Sequence, residues 1–374
     1  MIARDIARSL IMDAPTPPSE DLIRIDAGRL RAFVRTVCAS AGCDAEEAEA
    51  IAGHLVDANL MGHDSHGAGM LVEYVPAMRD GRLRLGRRAR ITRDSGPVVV
   101  IDGGVGVGQV LGREAMAIGI ERARRHGVAL VALQQAHHLG RIGAWAEQCA
   151  AAGCASLHYV NVIGHRPYVA PFGGSDGRLA TNPVCIGLPV VGRPPIILDM
   201  ATSKIAFGKV KVARNRGQPV PDGALIDAAG TPTNDPSVMF TPPIGSLLPF
   251  GEHKGYGLAV MCDLLAGALV GGGTNGPQTQ KSDTIINNML SIVIDPAAVT
   301  ETGAMQEKVE VLAAWLKASP PRAGVDVVLL PGEPERRTRA ERERDGIPLD
   351  RTTWQQLADM ARLAGCDPAI MPQS

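Results

Sequence analysis

The stretch "GHDSHGAGM" (62–70) sets His63 and His66 three residues apart around an Asp–Ser pair. Such a set can hold a metal, pair a nucleophile with a base, or exchange a proton with a substrate oxygen. Imidazole suits the last task because it titrates near neutral pH. Four further stretches gather unusual residues. "QQAHHLGRIG" (134–143) carries His137, His138 and Arg141 where a strand runs into a helix. "APFGGSDGRLATNP" (170–183) closes a Pro/Gly-rich loop with Thr181, Asn182 and Pro183. "ILDMATSKIAFGKVK" (197–211) leaves a strand at Asp199, and "GEHKGYGL" (251–258) sets His253 and Lys254 at the start of an apolar helix.

Each reading makes its own demands. Zinc wants three or four ligands, whereas "HDSH" offers two and the cysteines lie in apolar runs away from it. A Ser65–His66 hydrolase lacks the GxSxG elbow, and adjacent side chains usually point apart. Hydride transfer needs a group that exchanges a proton with the substrate oxygen, a second donor, and anion-binding groups for cofactor phosphates. The five stretches supply all of these parts. Lys254 at a glycine-flanked helix start is a ready anion site, because unpaired backbone N–H groups add to the ammonium charge.

Those residues need elements to position them. Leu30, Phe33, Val34, Val37 and Cys38 form one stripe on a helical period. A second helix starts at "DAEEAEAIAGHL", capped by Asp44 with Glu47 three residues on, and runs out near Gly62. "HDSHG" therefore falls just past its C-terminus. From about residue 97, β-branched runs at 97–103, 128–133 and 155–160 alternate with Ala-rich helices at 113–127 and 143–153. Further strands are expected at "PIILDM", "LSIVID" and "DVVLLPG". "GLPVVGRPPIILDMAT" reads as a hairpin, so the fold class is α/β with a mixed sheet. The segment with "PERRTRAERERDGIPLD" reads as a solvated charged helix and a final cap. The expected organisation is a tail over 1–20, a helical region with the site loop over 21–96, an α/β cofactor-binding domain over 97–310, and a helical region over 311–374 that packs back on the first.

"VVVIDGGVGVGQVLGREA" places glycines between a strand and a helix, where a Rossmann fingerprint would lie. The spacing is GxGxxxG, and the next strand ends "ALQQA" without a ribose-binding acid, so it reads as a Gly-rich turn entering a helix. Composition excludes other classes. With a net charge of −1 and no basic block, neither nucleic acid nor an anionic membrane is indicated as a partner. Seven cysteines without CxxC spacing read as reduced thiols, and the first twenty residues lack the apolar core of a secretory signal. "GYGLAVMCDLLAGALVGGG" (255–273) carries Asp263 in its middle and reads as a buried helix, not a membrane span. The expectation is a soluble, cytoplasmic protein.

Together "GHDSHGAGMLVEYVPAMRDGRL", "HHLGRIGAWAEQCAAAG", "TNP", "LDMATSKIAFGK", "EHKGYGLA" and "PGEPE…GIPLD" resemble the type-2 malate/L-lactate dehydrogenase family, in order from about residue 25 to about residue 360. The resemblance implies a non-Rossmann, NAD(P)-dependent oxidoreductase of 2-hydroxy acids, usually a homodimer, with no resident metal. His66 matches the family's "SHG" histidine, the implied proton donor, with Ser65 as its hydrogen-bonding partner. His138 matches the histidine at the nicotinamide and substrate, where some members place the acid–base role. The implied cofactor positions are Gly140, Arg141, Ile142, Ile197, Leu198, Asp199, Met200, Ala201, His253, Asn287, Gly332, Glu333, Pro334 and Glu335, with Lys254 beside them. Met70 stands where many members have an Arg for the substrate carboxylate. Arg141 or Arg166 could substitute through paired hydrogen bonds, Met70 would suit a bulkier side chain, and Thr181 completes the substrate set. His137 replaces an Asn, and His63 reads as structural. Relatives acting on cyclic imino acids or ureidoglycolate keep those substrates open.

Overall fold

The computed structural model describes residues 22–215, 217–279, 283–367 and 370–371. The leading segment 1–20, expected as a tail or short helix, lies outside the described residues. In chain order the elements used below are β1 (Leu22–Ile25), α1 (Ala27–Ser40), α2 (Ala45–Leu60), α3 (Leu71–Arg79), β2 (Arg90–Ser95), β3 (Val98–Asp102), α4 (Gly108–His126), β4 (Val128–His137) and α5 (Gly143–Ala151). There follow β5 (Ala155–Ile163), β6 (Val184–Leu188), β7 (Ile196–Met200), α6 (Phe207–Asn215), β8 (Leu225–Ile226), β9 (Pro232–Thr233), β10 (Ser246–Leu247) and α7 (His253–Cys262). Last come β11 (Ile286–Ile294), α8 (Thr302–Lys317), α9 (Glu333–Asp345), β12 (Ile347–Asp350) and α10 (Arg351–Leu363).

The central sheet has seven strands in the order β2-β3-β4-β11-β5-β6-β7. Of its neighbouring pairs only β3 and β4 run parallel, so this is a mixed sheet and not the parallel arrangement of a Rossmann half. Leu111, Ala115 and Met116 of α4 and Trp145 of α5 pack on it against Val131, Leu133 and Met289. A second core joins α1, α2 and α3 to α10, with Ile25 of β1 and Ile347 and Leu349 of β12 among its members. β1 and β12 pair antiparallel, tying the start of the described chain to its last quarter. A small third sheet, β10-β8-β9, closes over Val169, Leu179 and Leu247. Both larger cores consist mainly of aliphatic side chains, as the scarcity of aromatics requires.

Local signals explain most elements. Asp44 and Glu47 form the reciprocal capping box expected at the start of α2. β6 and β7 pair antiparallel, as the hairpin reading requires. Three expectations need correction. "DVVLLPG" forms no strand: it runs beside β7 with a backbone bond from Ile197 N–H to the Pro331 carbonyl, and proline cannot continue a ladder as a donor. α4 begins at Gly108, five residues before the predicted helix start at 113, for a packing reason given below. The apolar stretch 255–273 becomes α7 followed by a π-helical segment, and Met261, Leu264 and Leu269 on it are exposed rather than buried. Asp263 is buried there and accepts hydrogen bonds from the side chains of Asn161 and Asn275 at 3.0 Å each. No helix among the described residues is long and apolar enough to cross a membrane.

Candidate active site

α2 ends at Leu60, and the chain turns through a short 3-10 segment, Asp64–His66. Asn59 holds this turn. Its amide nitrogen donates to Asp64 Oδ1 at 2.7 Å, and its oxygen accepts the Ala68 N–H at 2.7 Å. Arg342 of α9 grips the same Asp64 through two guanidinium nitrogens, at 2.6 and 3.0 Å. The result presents His66 beside Ser65, whose Oγ lies 3.0 Å from His66 Nδ1.

His138 arrives from the sheet. It follows the last residue of β4, which is held between β3 and β11. Backbone bonds from Gly103 N–H to Gln134 O, from Val105 N–H to Gln135 O and from His137 N–H to Gly106 O lash the Gly-rich loop to this strand end. A Cβ on Gly108 would stand 2.2 Å from the His138 carbonyl oxygen, so only glycine lets α4 start this close. The near-Rossmann glycines thus serve close backbone packing. They also deliver Gln109, whose Nε2 donates to Tyr74 Oη at 2.8 Å and reaches the His138 carbonyl at 3.3 Å. Tyr74 Oη lies 2.8 Å from His138 Nδ1.

The His66 and His138 rings stack with centroids 5.4 Å apart and planes 22° from parallel. Each Nδ1 has a side-chain partner, and neither Nε2 has one among the described residues. Burial, with repulsion from His63 and Arg141, pushes His66 down to about 3. Burial first, then the neighbouring His66, His137, His54 and His165, holds His138 well below its ordinary value. Both imidazoles are therefore neutral at pH 7 in the free chain.

Two residues beyond His138, Gly140 takes φ +74°, and its missing Cβ leaves room for the His54 ring. The Arg141 N–H then donates to His54 Nε2 at 2.8 Å. The Arg141 guanidinium, 4% exposed, pairs with Glu147 at 2.5 Å. Ile142 leads into α5, and Asp199 Oδ2 accepts the Gly143 N–H at 2.7 Å, a carboxylate at the positive end of that helix.

Arg141, Ile197, Asp199, Gly332 and Glu335 line one cavity of about 360 Å³, with Arg193, Arg336 and Arg339 on its wall. Glu335 Oε1 faces His63 Nε2 at 3.6 Å, while its buried Oε2 has no hydrogen-bond partner among the described residues. Pro334 opens α9 in front of it. Glu333, by contrast, is engaged elsewhere, accepting from Lys317 Nζ at 2.6 Å and from the Leu330 N–H at 3.0 Å. Leu198, Met200 and Ala201 continue β7 and its exit without lining the cavity.

Other candidates sit apart. Both polar ends of the Asn287 side chain are engaged within the fold, accepting from Leu139 N–H at 2.8 Å and donating to Asn161 O at 3.1 Å. His253 and Lys254 are exposed at the start of α7, His253 edge-on to Phe172. Met70 is half-buried against the helical core, Arg166 is exposed after β5, and the Thr181 carbonyl accepts from Thr202. His137 lies 3.2 Å from Thr284 Oγ1. Sequence reasoning passed over Tyr74, Gln109, His54, Asn59 and Arg342. Tyr74 offered one signal, a tyrosine eight residues after His66 in a chain with only four. Among the described residues no group of three or more His, Cys, Asp or Glu is placed to hold a metal.

A mixed-sheet α/β domain with a histidine pair at a strand end and a charged cavity beside it defines a class that comparison with known proteins identifies. The malate/L-lactate dehydrogenase family model matches residues 25–358, and the chain belongs to that family. Hydroxycarboxylate dehydrogenase B of Escherichia coli K12 is 48% identical over 344 residues, covering 91% of this chain and 94% of the relative. L-lactate dehydrogenase of Cupriavidus necator H16 is 40% identical over 341 residues, covering 91% and 97%. The solved structure of a putative malate/lactate dehydrogenase from E. coli superposes with a TM-score of 0.89 at 48% identity, covering 93% of this chain and 97% of that one.

Proposed function

We propose that the chain is an NAD(P)-dependent 2-hydroxycarboxylate dehydrogenase that interconverts 2-hydroxy and 2-oxo acids. The observation that carries this reading is the stacked His66–His138 pair, with each Nδ1 tied back and each Nε2 without a partner among the described residues. The relatives' names agree with it.

The residues present fit a dinucleotide. The cavity volume lies in the range of small-molecule pockets. Arg193, Arg336 and Arg339 would meet phosphate, and the orphaned Glu335 Oε2 is an acceptor awaiting a hydroxyl donor such as a ribose. A nicotinamide dinucleotide held by these residues would supply the hydride acceptor or donor for C2 of the acid.

The chain's own part is proton handling and orientation. In oxidation, neutral His66 takes the hydroxyl proton on Nε2 while Ser65 steadies Nδ1. In reduction, the same nitrogen gives the proton back to the carbonyl oxygen. The anionic substrate helps the second direction, because a carboxylate nearby favours the imidazolium that burial disfavours. Arg166 has no ion pair among the described residues, and its neighbour His165 acts electrostatically on His138, so it is the guanidinium available for that carboxylate. We further propose a homodimer. Val311, Leu312 and Trp315 of α8 are exposed in the single chain and suit burial against a second copy, which light scattering checks.

The test is oxidation of NADH and of NADPH, followed by absorbance, with oxaloacetate, pyruvate, 2-oxoglutarate and phenylpyruvate. Turnover of any of these supports the reading and reports the cofactor preference. Cofactor binding with silence across the panel moves the substrate to imines or ureidoglycolate. No binding of either cofactor overturns the proposal.

A further inference from the structure

We infer that Tyr74 and Gln109 fix His138 as a neutral hydrogen-bond donor, leaving proton exchange in this site to His66 alone. The inference rests on the reading of the site given above and assigns its two histidines separate tasks.

The direction of the hydrogen-bond chain follows from its far end. Gln109 Nε2 lies 3.3 Å from the His138 backbone carbonyl, an atom that can only accept. The amide therefore turns its NH2 end this way and donates its other hydrogen to Tyr74 Oη at 2.8 Å. With its oxygen accepting from Gln109, the fully buried Tyr74 has its own proton left to donate, and the acceptor in reach is His138 Nδ1 at 2.8 Å. Burial holds the phenol well above its usual range, so that proton stays on oxygen. Nδ1 of His138 is then an acceptor and its ring proton sits on Nε2, the nitrogen without a partner among the described residues.

An imidazolium at position 138 would need a proton on Nδ1 as well. Tyr74 would have to turn its hydroxyl hydrogen away, and Gln109 already points a donor at that oxygen. The groups facing His138 add to this resistance. They are His66 from the 3-10 turn, His137 from β4, His54 from α2 and His165 from the loop after β5, and each lowers its proton affinity.

His66 is lowered in proton affinity too, by burial and by His63 and Arg141, but it has no such hydrogen-bond lock. Its Nδ1 partner is the Ser65 hydroxyl, which is partly exposed and can either donate or accept by rotating. His66 can therefore gain and lose a proton on Nε2 without leaving Nδ1 unsatisfied. His138 donates to the substrate oxygen and steadies its developing charge. Tyr74 and Gln109 are positioning residues, because they act through His138.

The test has two arms. Nitrogen NMR of isotope-labelled histidines in the unliganded parent protein, with His138 assigned by His138→Asn, should show Nε2 protonated and Nδ1 as a bare acceptor. The pattern should persist as pH is lowered through the ordinary histidine range. Tyr74→Phe and Gln109→Met should each let His138 titrate at higher pH. They should also lower kcat about tenfold, with cofactor affinity within about twofold of the parent. Gln109→Glu, which puts an acceptor where the amide donated and lets the Tyr74 hydroxyl turn away, should raise the His138 titration further than Gln109→Met. A proton on Nδ1 in the parent, or an unshifted His138 titration in both folded variants, overturns the inference. The spectra need no turnover, so an enzyme inactive on 2-oxo acids but with this proton pattern would count against the proposed function alone.

Discussion

His138 and His66 face one another but are held in unlike ways. His138 sits on a strand end, fixed by sheet neighbours and by a glycine loop from the preceding crossover. His66 sits on a turn whose anchors are side chains, Asn59 from the helix before it and Arg342 from the far end of the chain. The strand end gives one nitrogen a fixed direction, and the side-chain scaffold leaves the other ring able to change its proton. On the proposed reading, the rigid ring polarises the substrate carbonyl and the adjustable ring moves the proton.

The contrast can be broken at several points. His66→Ala should cut turnover by about 10² to 10⁴, the usual weight of one acid–base group, while cofactor binding survives. Full turnover in that variant would transfer the proton to His138 and erase the distinction between the two rings.

The rigid half also leaves a thermodynamic signature. His137, His138 and His158 are each less than a tenth exposed. Burial drives His137 and His158 down to about 3 and His138 well below the ordinary 6.5. Below about pH 6.5 the unfolded chain binds protons that the folded one refuses. Their contribution to stability is therefore full above that pH and is lost as pH falls, by up to about 1.4 kcal/mol per pH unit for each histidine. Urea midpoints at about pH 7.5 and about pH 5.5 check this, and equal midpoints would count against burial in the neutral form.

On the adjustable side, Asn59→Leu strands the Ala68 N–H and should cost about 1–3 kcal/mol, read as a lower Tm. It should reduce turnover more than cofactor affinity, whereas a uniform loss of both would mean the turn does not serve His66 in particular. For the cavity, Glu335→Leu should raise the cofactor Kd about tenfold by titration calorimetry. Exposed Lys254→Gln should change it by no more than about threefold. The reverse ranking would move the anion-binding role back to the start of α7.

The helical stripe at Leu30–Cys38, the capping box at Asp44 and the β6–β7 hairpin were all legible, because each rests on contacts close in sequence. The sequence also singled out His66 and His138, and the fold brings their rings face to face. What escaped was set by distant packing. Gly106 and Gly108 read as a turn ahead of a helix starting at 113, because nothing local shows that α4 begins against the carbonyl of His138. Tyr74, Gln109 and His54 are ordinary residues of amphipathic helices until the fold aims them at one strand end. The charged run over α9 read as a solvated face, and it does expose most of its side chains. One of its arginines, Arg342, nonetheless reaches the turn that carries His66, a contact that no local pattern announces.

That last contact bears on how the protein comes to be active during synthesis. Asp64 and Arg342 are 278 residues apart in the chain. While the ribosome is still working toward Arg342, the nascent protein can hold a finished sheet with His138 in place. The turn that carries His66 meanwhile lacks its distal clamp. A chain cut short before α9 would keep both histidines and lose the Asp64–Arg342 clamp, so on the proposed reading the site is completed only once α9 has been made.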